Sequence, residues 1–71
     1  MFAKHLEHDA HTRRYVIRQT ETRGWEVLTE EDGLVQRRVL YDDWHRVEHA
    51  RRRFDAEISR LEDAGWHERP S

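Results

Sequence analysis

A chain of 71 residues has room for one hydrophobic core and no second domain, and the absence of cysteine excludes disulfides, thiolate metal sites and thiol catalysis. Charged residues (39%) outnumber hydrophobic ones (35%), and the net charge at pH 7 is −2. Neither half is strongly basic, since residues 1–40 hold seven basic and seven acidic side chains and residues 41–71 hold six and eight, which argues against a strongly cationic nucleic-acid binder.

So small a core barely offsets the entropy of ordering the chain, which makes a second copy an expected stabiliser. No apolar run approaches the length of a membrane span. The segment Met1-Phe2-Ala3-Lys4-His5 lacks the apolar stretch of a secretion signal, so a cytoplasmic location is expected. Twelve of the thirteen basic residues are arginine, a compositional sign of a GC-rich, bacterial coding sequence.

In chain order, residues 1–12 carry little apolar material and read as a flexible tail or a short helix, with Phe2 and Leu6 four apart. Arg14-Tyr15-Val16-Ile17-Arg18 is a β-branched and aromatic run, the first expected strand. After a polar turn, Trp25 to Glu30 forms the second. Glu31-Asp32-Gly33 signals a hairpin, read as a three-residue loop that sets Trp25 opposite Val39, Thr29 opposite Val35 and Glu26 opposite Arg38. A two-residue loop would put Val27 opposite Arg38 on the core face. Leu34 to Tyr41 is the third strand, with Arg37 on the inner face at an edge, where it must snorkel.

Asp42 or Asp43 caps a helix in which Val47, Ala50, Arg51, Phe54, Ile58 and Leu61 fall on one stripe. Gly65 ends it, and Trp66 folds back on the last turn. The fold class expected is therefore α+β, a three-stranded antiparallel meander packed on one C-terminal helix over residues 13–66, with a loose tail at 67–71. The expected core is Tyr15, Ile17, Trp25, Val27, Val35, Val39, Val47, Phe54, Ile58, Leu61 and Trp66.

The β-β-β-α order resembles, in topology, a plant three-stranded DNA-binding domain, the double-stranded-RNA-binding domain without its first helix, and the Trp-Gly-Arg domain. This chain has no Trp-Gly-Arg triplet; its Gly-Trp pairs are Gly24-Trp25 and Gly65-Trp66. Asp42-Asp43 stands at the helix start, where double-stranded-RNA binders place lysines, and would repel phosphate. A shared topology does not transfer function.

His45-Arg46-Val47-Glu48-His49 fits the H-x-x-E-H pattern of inverted zinc peptidases. Burial of Val47 turns both histidines to solvent, so a chance match on a charged helix is the reading adopted. His5, His8 and His11 form a second cluster, expected to be a solvated segment. No catalytic arrangement appears, so no enzyme activity, cofactor or metal site is expected.

Two surfaces remain. The helix carries Arg46, Arg53 and Arg60 along one flank and Glu48, Asp55 and Glu62 along the other; pairs such as Glu48–Arg52, Arg51–Asp55 and Arg53–Glu57 are expected to lace it. The sheet face away from the helix carries Val16, Leu28, Leu34 and Leu40 among Arg14, Arg18 and Arg38. The expected function is a small non-catalytic interaction module that self-associates as a dimer, or binds another protein, through the open sheet face with Val16, Leu28, Leu34 and Leu40 or through the edge of the sheet. The alternative is weak nucleic-acid binding through Arg14, Arg18 and Arg38.

Overall fold

Phe2–His8, expected as a tail, is a strand (β1) in the computed structural model, which describes residues 2–69. It pairs antiparallel with β2 (His11–Gln19), placing Phe2 opposite Ile17 and Leu6 opposite Arg13. Asp9 and Ala10 join the two strands with positive φ values of 47° and 68°, the geometry of a two-residue hairpin turn. Leu6 is fully buried, and the Phe2 ring lies 6.4 Å from Phe54 on the helix. The N-terminal residues thus supply a strand and part of the core.

The order continues with β3 (Trp25–Glu31), β4 (Leu34–Tyr41), the helix α1 (Trp44–Asp63) and the two-residue β5 (His67–Glu68). Among the described residues the sheet has five strands in the order β4-β3-β2-β1-β5, rather than the expected three. Within the segment expected to be a loose tail, β5 pairs with β1; Pro70 and Ser71 lie outside the described residues. The α+β class and the single helix stand as expected. The two added strands depart from the β-β-β-α order.

The β3–β4 register differs from both readings of the sequence. Asp32 and Gly33, with φ of 52° and 82°, close a two-residue turn that pairs Glu31 with Leu34 and Glu30 with Val35. That turn alone would bring Arg38 against Val27. An irregularity at Thr29/Glu30 leaves Gln36 as an extra residue on β4, so that Thr29 pairs with Arg37, Val27 with Val39 and Trp25 with Tyr41. The bulge restores the apolar pairing and turns Leu34 and Val35 to the faces opposite those expected. Val35, an expected core residue, is 56% exposed.

The helix begins where Asp43 accepts a hydrogen bond from the His45 N–H at 2.9 Å. It ends with Trp66 N–H donating to the Leu61 carbonyl at 2.9 Å and Gly65 N–H to that of Glu62 at 3.1 Å, around Gly65 at φ 105°. Val47, Ala50, Phe54 and Ile58 are buried against the sheet, with Leu6, Tyr15, Ile17 and Val27 completing the core. Trp25, Leu61 and Trp66, expected inside, pack on it partly buried. Gly24 is needed as glycine, because a Cβ there would lie 2.7 Å from the Tyr41 carbonyl oxygen.

Candidate functional site: the free edge of β4 and its groove

On the sheet face away from the helix, Arg18 on β2 and Arg38 on β4 both reach Glu26 on β3, at 2.5 Å (Nη2–Oε1) and 2.6 Å (Nε–Oε2). Arg14 pairs with Glu30 at 3.2 Å. Glu26 is buried. Its carboxyl is held below the ordinary range by the hydrogen bond from Arg38 and by Arg18, against the opposing cost of desolvation. Val16 and Leu28, expected as an open interface, are buried at 5% and 6% exposure. All three arginines named for nucleic-acid contact are engaged with carboxylates.

The apolar surface that is exposed lies elsewhere. Leu34 and Leu40 are 68% and 64% exposed, and with Val35 they sit on β4. This strand ends the sheet, with no neighbour among the described residues on its outer edge. The opposite end is β5. A free eight-residue edge with apolar side chains is a template for another strand.

Beside that edge, on the helix side, lies a groove of about 310 Å³. Val27, Val39, Tyr15 and Phe54 give it apolar lining, and three arginines (Arg13, Arg37, Arg53) and three glutamates (Glu30, Glu31, Glu57) add charge. Arg37 stands at the edge, as expected. Tyr41 and Arg53 also belong to an adjoining hollow with Arg46 and His49, so one flank of α1 looks toward β4. Sequence periodicity gives that row of cations but not the strand it faces.

The charges on this side are unevenly matched. Arg13 pairs with Glu31 at 2.8 Å and Glu57 at 3.2 Å, and the Tyr15 hydroxyl donates to Glu57 at 3.0 Å. Burial pushes the Tyr15 hydroxyl up to about 12. The expected helix-surface pairs do not form among the described residues: Glu57 is drawn to Arg13, Glu48 accepts from the Trp44 indole at 2.8 Å, and Arg51 lies 4.8 Å over the Phe2 ring. Arg37, Arg46 and Arg53 make no ion pair with another described residue.

The histidines are dispersed. On a strand, three-residue spacing puts His5 and His8 on opposite faces. His8 contacts the Gly65 carbonyl and the Trp66 ring, and His11 contacts Asp32. His45 and His49 are exposed on the helix. Among the described residues no group of three or more His, Asp or Glu is placed to hold a metal ion. No helix among them is long and apolar enough to cross a membrane. Comparison of the chain with known proteins gives no match to a family model, a curated protein or a solved structure.

Proposed function

We propose that this chain is a non-catalytic protein-interaction module that works by adding a strand to the free edge of β4. The observation that carries the reading is the eight-residue terminal strand of the sheet with Leu34, Val35 and Leu40 exposed along it. Pairing there would satisfy edge N–H and C=O groups while covering aliphatic surface. Burial of Val16 and Leu28 favours the edge over the open sheet face as the surface for association.

Solution mass across a dilution series, for the parent chain and for Leu40→Lys, tests the reading. Leu40 is exposed, so the substitution leaves the core intact. A parent dimer that the substitution converts to a monomer supports pairing of two copies at β4. A parent monomer leaves the edge open to a strand from another protein. A dimer that Leu40→Lys does not disturb overturns the reading. The nucleic-acid alternative has less support, since Glu26 and Glu30 partly neutralise Arg14, Arg18 and Arg38.

A further inference from the structure

A strand laid beside β4 would send alternate side chains to the two faces of the sheet. On the helix side they would meet Arg37 and the flank of α1 that carries Arg46, His49 and Arg53. On the other side they would meet Leu40 and Val35. Of the acids lining the groove, Glu30 is paired with Arg14, and Glu31 and Glu57 share Arg13, which offsets one of their two charges; Arg37, Arg46 and Arg53 outweigh the one that remains. The surface is therefore locally cationic on a chain whose net charge is −2.

A second copy fits this surface poorly. Two β4 strands paired about a two-fold axis normal to the sheet keep their helices on the same face, so both copies of Arg37, Arg46 and Arg53 would be brought to that side, like charge approaching like. Cationic side chains at an edge discourage self-pairing while leaving the edge open to a strand of the opposite sign.

We propose that the β4 edge and its groove bind an extended acidic segment of another protein, with carboxylates alternating with aliphatic residues. The carboxylates face Arg37, Arg46 and Arg53, and the aliphatic residues cover Leu40 and Val35. This inference rests on strand addition at β4 and specifies the partner.

The test uses the full chain and two blocked peptides of about nine residues, a length matched to an ordinary strand. One alternates glutamate with valine; the other has glutamine in place of each glutamate. Titration followed by amide chemical shifts is expected to show the glutamate peptide binding about tenfold more tightly at low salt, from several exposed charge pairs acting together. Salt and the double variant Arg37→Gln/Arg53→Gln should each reduce that preference. Equal binding of both peptides with shifts in β4 would overturn the acidic preference and leave strand addition standing. Shifts absent from β4 with either peptide would overturn both. A stable dimer that neither peptide displaces but that Leu40→Lys dissociates would assign the edge to a second copy and overturn the acidic partner.

Discussion

Arg38 Nε lies 2.6 Å from Glu26 Oε2, and this diagonal pair across β3 and β4, joined by Arg18 on β2, ties three strands together on the sheet face away from α1. It places a carboxylate among buried aliphatic residues and fixes the sign of an acid response. The Glu26 carboxyl titrates below its ordinary 4.5. Asp32 titrates below 3.8, held first by the Thr12 N–H and then by His11. A group whose value is lowered by folding contributes stability above its unfolded value and loses it as the pH falls through the folded one. Urea midpoints should therefore hold above about pH 5 and fall progressively below it, with Glu26→Gln flattening part of the decline. A midpoint that rises on acidification through this window would contradict the assignment.

Tyr15 gives the opposite limb. Its hydroxyl is pushed from 10.0 to about 12, so its contribution is complete below pH 10 and is lost as the pH rises through 12. In Tyr41→Phe, ultraviolet titration of the remaining tyrosine should give a midpoint near 12. Ionisation near 10 would mean that the hydroxyl is not buried against Glu57 as described.

Leu6 is fully buried, and truncating it opens the core from the N-terminal strand. Leu6→Ala should cost about 2–5 kcal/mol in urea denaturation, enough to unfold much of so small a domain. A cost under about 0.5 kcal/mol, the level of a surface change, would show β1 to be undocked.

Ala10 has a φ of 68°, a conformation that costs a non-glycine residue about 1 kcal/mol. The chain solves the same problem differently at Asp32-Gly33. Ala10→Gly should stabilise the fold by roughly 1 kcal/mol, read from thermal and urea unfolding. A loss of stability would contradict the two-residue turn.

The strands β2 to β4 and the helix with both caps were legible because each has a period and a punctuating residue: the β-branched run at Tyr15-Val16-Ile17, the turn at Asp32-Gly33, the cap at Asp43 and the stop at Gly65. Phe2 and Leu6 were ambiguous, since a separation of four suits a helical face and also every second residue of a strand. The intervening Lys4 hid the alternation; it pairs with Glu68 at 3.3 Å. The register of β4 was out of reach because the turn and the bulge each shift pairing by one residue, and loop length alone does not disclose the second. Burial of Val16 and Leu28 was out of reach for another reason: alternation marks the face of a residue but not how far its neighbours on that face cover it. The edge at β4 was legible, because the last strand of a meander is terminal; the exposure of Val35 along it was not, because it follows from the bulge.

Amide hydrogen exchange of Leu34–Tyr41, with and without the glutamate–valine peptide, is the most direct test of the proposed edge. The amides of β4 that point away from β3 should exchange rapidly in the free chain, and alternate positions should slow by about tenfold or more on adding the peptide. Binding that protects other strands or the helix while these amides remain unchanged would contradict the account.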